Sequence, residues 1–395
     1  MTSISSFRDP TMPGAPIIPR EDWDRAPWNR WTFQHVRDLV PTTQVWRGQG
    51  PASPLPTALQ DIDVIGFDLD GRRDTIGGFL ETSYADGLLV LHRGKVVAER
   101  YLNGMTPRTP HLSQSVAKSV IGTVAGILIG RALVDPAAPV TLYLPELEAT
   151  AYRGATVQHV LDMTSGVVFD ETYTALDSHM AQMDAACGWK ERRDPNWPNN
   201  VWDLILTLKQ SECSHGASFR YRSIETDVLS FILQRVTATP LAELVSRELW
   251  VPMGAEEDAY FTVDPAGYAL GDGGFNATLR DYARFALLHL GKGEIDGRRI
   301  VPASWTEETR SGNPELFGGV YHDVLPEGAY HNQFWIEDTK RRAYMARGVF
   351  GQLIYIDPEA EFAAVILSSW PEFVSANRTR TALAAVGAVR DRLAS

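Results

Sequence analysis

A chain of 395 residues with 44% hydrophobic, 10% aromatic and 22% charged residues has the composition of a globular protein with a sizeable core, which excludes a disordered or fibrous one. A formal net charge of −12 and a pI near 5.3 leave no basic stripe to displace counterions, so nucleic acid is excluded as a partner, and Lys190 to Arg193 is too short a basic run to change that. Cys187 and Cys213 lie outside any CxxC or metal-type spacing, which excludes a disulfide framework or a zinc site and leaves one bridge between them open.

The N-terminal MTSISSFRDPTMPGAP lacks the basic start and apolar core of a signal peptide, and no apolar run reaches membrane-spanning length. A cytoplasmic protein without membrane contact is the expectation. Residues 1–60, rich in proline and tryptophan, predict an irregular arm packed across the surface. Asp61 to Asp74 carries several carboxylates without the EF-hand spacing or its closing Glu, and reads as a solvated loop. Leu88 to Tyr101 shows two β-rich runs hinged on Arg93-Gly94, a hairpin signal. His111 to Leu133 is a strongly apolar helix ending near Gly130, and from there to about Thr262 the chain is mainly helical. In that stretch TVQHVLDMTSG, VWDLILTLKQ and TDVLSFILQRVT carry apolar residues at three- and four-residue spacing. Beyond Gly271 the helix DYARFALLHLGKG precedes the strands RAYMARGVF, QLIYIDP and EFAAVILSSW, and a terminal helix runs from about Ser375 to Leu393. Strands at both ends with helices between predict an α/β (α+β) architecture. Residues 61–112 and 270–395 would build an antiparallel sheet flanked by helices, and 113–269 an inserted, mainly helical domain.

Within the apolar helix, Ser115 and Lys118 stand three residues apart, which puts a hydroxyl and an amine on one helical face where they can share a proton. Ser115 falls in the first turn, where unpaired N–H groups and the positive end of the helix dipole favour developing negative charge and disfavour a protonated lysine. Read alone, the same residues also suit an N-cap serine and a surface lysine. Other chemistries find no motif: there is no GxSxG, HExxH or P-loop, the glycines of GDGGF at Gly271 to Phe275 do not make a dinucleotide fingerprint, and the histidines are scattered.

About a hundred residues on, FRYRSIETDVLSFIL places Tyr221 and Ser223 ahead of an amphipathic helix. Ser-x-x-Lys at Ser115, Tyr-x-Ser at Tyr221 to Ser223 and a Gly-rich strand pair at GVFGQLIYIDP together resemble the serine β-lactamase and penicillin-binding protein superfamily, on its class C and esterase side. NRWTF, SQSVAKS, PVTLYLPEL, VLDM, GW followed by RRD, FRYRS with TDVL, GQ with IDP, and SSWP extend the resemblance over most of residues 29 to 371, toward the 6-aminohexanoate-dimer hydrolases, amidases acting on nylon oligomers.

The resemblance implies a β-lactamase/transpeptidase-like fold and no metal or cofactor. It implies Ser115 as nucleophile, Lys118 as the neighbour that holds or accepts its proton and Tyr221 as the acid/base serving the leaving group, with the base left unassigned between the last two. The oxyanion hole would use the amides of Ser115 and Leu353. Phe350, Gly351 and Gln352 map to the third motif, where penicillin-recognising members place Lys-Thr-Gly; a phenylalanine for the lysine leaves no cation there, and Ser223 stands for the usual asparagine. Tyr173 matches a tyrosine contacting the scissile amide, Asp184 an aspartate approaching the substrate's amino end, and Asp272 replaces an asparagine near the site. The expected function is a serine hydrolase of carboxylic esters and linear amides such as 6-aminohexanoate oligomers. A β-lactamase or D-alanyl-D-alanine carboxypeptidase is the same-class alternative, and a non-catalytic binding or regulatory protein of the same fold is the rival from another class. The partner is a small-molecule ester or amide; a homodimer is allowed but not indicated.

Overall fold

A computed structural model describes residues 6–7 and 18–395. Strands are labelled β1 (Thr42–Val45), β2 (Gly66–Leu69), β3 (Arg72–Thr75), β4 (Ala85–His92), β5 (Lys95–Tyr101), β6 (Pro110–Leu112), β7 (Ala259–Thr262), β8 (Phe275–Thr278), β9 (Ala329–His331), β10 (Phe334–Asp338), β11 (Ala343–Gly348), β12 (Gln352–Asp357) and β13 (Phe362–Ser368). The helices that position the site are α1 (Val116–Gly130), α2 (Val157–Leu161), α3 (His179–Ala186), α4 (Val201–Thr207), α5 (Ile224–Thr237), α6 (Leu279–Leu290) and α7 (Ala376–Ala394).

Seven antiparallel strands form the main sheet in the order β9-β10-β11-β12-β13-β4-β5, so strands from both ends of the chain pair directly: Val365 of β13 lies opposite Leu89 of β4. Alternate side chains feed two cores. Leu89 and Leu91, Ile354 and Ile356, and Val365 and Leu367 enter the core that contains α1 and α6; Leu88 and Val90, Leu353 and Tyr355, and Ala364 and Ile366 enter the one closed by Ala382, Ala385, Val386 and Val389 of α7. A sheet covered on both faces explains why these strands read as unbroken apolar runs rather than alternating ones. The β4–β5 turn is Arg93-Gly94, with φ of 49° and 72°, the pair of positive values a two-residue hairpin turn needs.

The structure departs from the sequence expectation in four places, the first being that His111 and Leu112 belong to strand β6, so that the apolar helix starts only at Val116. Asp61 to Asp74 is not wholly a loop, because Asp70-Gly71, with φ of 50° and 76°, joins β2 and β3 into a second hairpin. The arm is not wholly irregular either, since β1 pairs with β7 in a second, four-stranded sheet of order β1-β7-β8-β6. That sheet also puts a strand, Ala259–Thr262, inside the stretch expected to be helical. Its pairings join residues far apart in the chain, such as Thr43 with Phe261, which no local pattern reports. Cys187 and Cys213 are both free thiols. Among the described residues no single helix is long and apolar enough to cross a membrane.

Helix α1 is buried along nearly its whole length. Gly122, Gly126 and Gly130 repeat every four residues and so line one face, where neighbours come too close for any side chain. A Cβ on Gly122 would lie 2.6 Å from the Asn332 carbonyl oxygen, one on Gly126 2.3 Å from Trp305 Nε1, and one on Gly130 2.3 Å from Pro302 Cγ. These contacts fix how deeply the helix beginning at Ser115 sits. Gly126→Ala should therefore lower stability by about 1–3 kcal/mol through overpacking, although alanine is the better helix former by about 1 kcal/mol. The thermal unfolding midpoint measures it, and an unchanged or raised midpoint would show that Trp305 can yield.

Candidate active site

Ser115 is the N-cap of α1 and is 9% exposed, whereas Lys118, one turn on, is 1% exposed. The residue before the nucleophile candidate, Gln114, has φ of 50°, a left-handed conformation that turns the chain from β6 into the helix. Non-glycine residues adopt it at a cost, and such positions cluster at functional sites. Lys118 Nζ donates to Ser115 Oγ at 2.9 Å and to the Asp272 carbonyl oxygen at 2.6 Å, and lies 5.2 Å from the centre of the Tyr221 ring. Tyr221, also 9% exposed, has both Ser115 and Lys118 as hydrogen-bonding neighbours of its hydroxyl. The structure thus brings together the three residues that the motifs single out, from α1 and the segment entering α5.

The electrostatics run against one sequence expectation. Burial works against the Lys118 ammonium, but Tyr221, Asp272, Glu171 and Asp227 together outweigh it and raise the lysine pKa above its ordinary value. The helix end alone therefore does not decide the charge. For Tyr221, burial pushes the hydroxyl above its usual range, against the opposing pull of Lys118. At neutral pH the resting pair is an ammonium beside a neutral phenol.

Lys118 is held from behind by a loop that is itself held. Asp227 of α5, 2% exposed, accepts from the amides of Gly271 at 3.0 Å and Asp272 at 3.3 Å, which fixes the carbonyl that Lys118 uses. Burial and the neighbouring Asp272 carboxyl push the Asp227 pKa well above the carboxylate range. Asp227 was not picked out in the sequence, where it reads only as a polar position of an amphipathic helix.

Ser115 and Tyr221 open into a cavity of about 440 Å³ whose wall includes Glu171, Tyr173, Trp335, Arg347, Trp370 and Phe373. That volume lies within the range of small-molecule sites, and the aromatic wall suits an apolar organic chain. Tyr173 stacks on Phe373 with ring centres 5.3 Å apart, and its hydroxyl donates to Glu171 Oε1 at 2.9 Å. Gly351, Gln352 and Leu353 also line the cavity. Gln352 does so without offering its amide group, because Nε2 donates to the Ser368 carbonyl at 2.6 Å and Oε1 accepts from the Ser368 N–H at 3.2 Å.

Four of the expected substrate contacts are not in the cavity wall. Phe350 is buried between Phe33 and Phe373, with ring centres 5.2 Å and 4.7 Å away, and its φ of 62° turns β11 into β12. Gly351 follows at φ of 89°, and a Cβ there would lie 2.2 Å from the Trp370 indole, so only glycine fits. Ser223 is 2% exposed and spends its hydroxyl and its amide on Glu171, at 2.5 Å and 3.0 Å. Asp272 contributes its carbonyl to Lys118, with its carboxylate 4.0 Å from the ammonium. Asp184 of α3 faces the Lys190–Asp24 ion pair, Asp272 and Arg25; burial and the Asp24 charge raise its pKa. Sequence reading missed Glu171, Trp335, Arg347 and Phe373, which are distant in the chain and share no spacing that could have linked them.

A family model described as Beta-lactamase matches residues 74–388. The 6-aminohexanoate-dimer hydrolase of Paenarthrobacter ureafaciens is 36% identical over 364 residues, spanning 91% of this chain and 89% of that protein. Esterase EstB of Burkholderia gladioli is 25% identical over 211 residues, 52% of each chain. A solved structure named "Putative 6-aminohexanoate-dimer hydrolase from Bacillus anthracis" superposes with a TM-score of 0.86 at 28% identity, covering 95% of this chain and 96% of that one. The match over residues 74–388 and these identities place the chain in the beta-lactamase family, as a serine hydrolase.

Proposed function

We propose that the protein hydrolyses small carboxylic esters and linear amides of the 6-aminohexanoate type through an acyl-enzyme on Ser115. The observation that carries this reading is the 2.9 Å contact between Lys118 Nζ and Ser115 Oγ at a helix N-terminus that opens, beside Tyr221, into an aromatic-walled cavity. Similarity to a 6-aminohexanoate-dimer hydrolase and to an esterase supports both substrate classes.

In the proposed reaction Ser115 Oγ attacks the carbonyl carbon as its proton passes to the Lys118–Tyr221 pair. The oxygen of the tetrahedral intermediate takes an N–H bond from Ser115 at the N-terminus of α1; the Leu353 amide, paired between Arg347 and Ile366 in the sheet ladder, is given no bond in this scheme. The bond to the leaving oxygen or nitrogen then breaks as Tyr221 returns the proton to it. Water attacks the Ser115 ester, passes its proton to the same pair, and releases the acid with the Ser115 hydroxyl restored. Because the resting pair carries ammonium and phenol, one proton has to leave it before it can serve as base, and the apparent pKa of that loss belongs to the pair. Asp184, set against Lys190 and outside the cavity wall, is given no substrate contact in this scheme.

Ser115→Ala should abolish hydrolysis of p-nitrophenyl acetate and labelling by a fluorophosphonate probe while leaving the unfolding midpoint in place. Turnover near that of the parent protein would assign the nucleophile elsewhere. Lys118→Ala and Tyr221→Phe should each lower kcat by roughly 100-fold or more, and the double variant should lose far less than the product of the two. Independent, multiplicative losses would separate their roles. The raised pKa values also set a direction with pH: kcat/KM should keep rising from about pH 6 to about pH 9 as the pair loses its proton. A plateau reached by about pH 7 would mean that the base already exists in the resting enzyme.

A further inference from the structure

The cavity wall holds a single cationic side chain among the described residues, and the scheme above makes no use of it. Arg347 of β11 lies opposite Leu353 of β12, so the two side chains stand on the same face of the sheet, and both line the cavity with Ser115 and Tyr221. Its guanidinium sits 5.1 Å from the centre of the Trp335 ring, and that ring stacks on Tyr221 at 5.2 Å. Its side chain donates one hydrogen bond, from Nη2 to Thr379 Oγ1 at 3.3 Å. Other partly buried arginines near this sheet have carboxylates: Arg341, in the turn before β11, meets Asp357, and Arg390 of α7 meets Asp391 at 2.8 Å. No carboxylate of the described residues forms an ion pair with Arg347. Burial pulls its pKa down to about 10, with Tyr221 pulling the other way, so it is charged at neutral pH.

A cation drawn out of water without an anion is costly, and a guanidinium fork matches a carboxylate in shape and charge. The anionic groups of the cavity do not answer this need: Glu171 is occupied by Ser223 and Tyr173, and Asp323 is exposed at the rim. Resting on the serine-hydrolase reading, we propose that Arg347 binds a carboxylate carried by the leaving-group portion of the ester or amide substrate. The leaving-group side follows from Trp335. Tyr221 delivers the proton to the leaving atom, and a chain running on from that atom passes along the ring that Tyr221 and Arg347 share. The cation that Phe350 fails to supply thus reaches the cavity from the neighbouring strand, β11.

The test compares two acetate esters, 4-acetoxyphenylacetate and its neutral counterpart 4-acetoxyphenylacetamide, on the purified full-length protein. Wild type should favour the anionic ester in kcat/KM by roughly 10-fold or more, and the preference should shrink with added salt. Arg347→Gln should bring the ratio to about one, whereas Arg347→Lys should retain part of it. Equal rates for the two esters in wild type, or an undiminished preference in Arg347→Gln, overturn the assignment. If Arg347→Gln fails to fold, product inhibition of wild type decides: 4-hydroxyphenylacetate should inhibit more strongly than 4-hydroxyphenylacetamide, and equal inhibition rejects the site. Cleavage of neither ester would overturn the hydrolase reading and this inference with it, while cleavage of both at one rate removes only the latter.

Discussion

The site depends on keeping one ammonium out of water. Lys118 is 1% exposed, and an amine taken that far into a protein either loses its proton or finds acceptors and negative charge. Here it finds them in the Ser115 hydroxyl, the Asp272 carbonyl, and the field of Tyr221 and three carboxyl groups. The lysine tethers the nucleophile candidate on one side and the Gly271–Asp272 loop on the other. That loop cannot drift, because Asp227 holds two of its amides from α5. Three segments remote in sequence are thereby locked around one nitrogen.

The scaffold sets this cluster at the mouth of the cavity. The glycine face of α1 lets Trp305, Pro302 and the Asn332 backbone press against the helix, so its N-terminus is fixed relative to the sheet as well as to α5. Gly348, at the end of β11, comes so close to the Ser113 carbonyl that a Cβ there would lie 2.5 Å away; the chain then turns into β12 through the positive φ values of Phe350 and Gly351, and Trp370 fills the space that a larger residue than Gly351 would need. Strained backbone persists where the surroundings over-determine it. The Phe350 N–H donates to the Phe373 carbonyl at 2.8 Å, which joins this turn to the cavity's aromatic wall.

Charge is distributed unevenly around the cavity. Carboxyl groups gather behind Lys118, where burial and like-charge neighbours raise the pKa values of Asp227 and Asp272 and make the lysine their common counter-ion, while Asp184, raised by burial and Asp24, faces Lys190 and Arg25 instead. On the Trp335 side the cavity holds a guanidinium and no carboxylate partner for it. A substrate lying from Ser115 toward Trp335 therefore meets a positive end, a polarity set by the two walls rather than by the reacting residues.

Local spacing was enough for part of this protein. Ser115 and Lys118 one helical turn apart, Arg93-Gly94 between two apolar runs, and the apolar strands RAYMAR, QLIYID and FAAVILS are patterns whose geometry follows from periods of 3.6 and 2, and the motif set carried the family. Asp70-Gly71 was an equally local hairpin signal, masked by the carboxylates around it. Other features came only with the tertiary structure. The second sheet pairs Thr43 with Phe261, Asp227 reads as a polar helix position until the loop at Gly271 reaches it, and Ser223 and Phe350 turn away from the cavity because Glu171 and the Phe33–Phe373 pair claim them. Arg347 looks like an ordinary strand arginine until Leu353, Trp335 and Thr379 surround it. Spacing reports which side chains share a helix or strand face; which remote groups meet them, and hence their charge and their freedom to contact substrate, is decided by packing between elements.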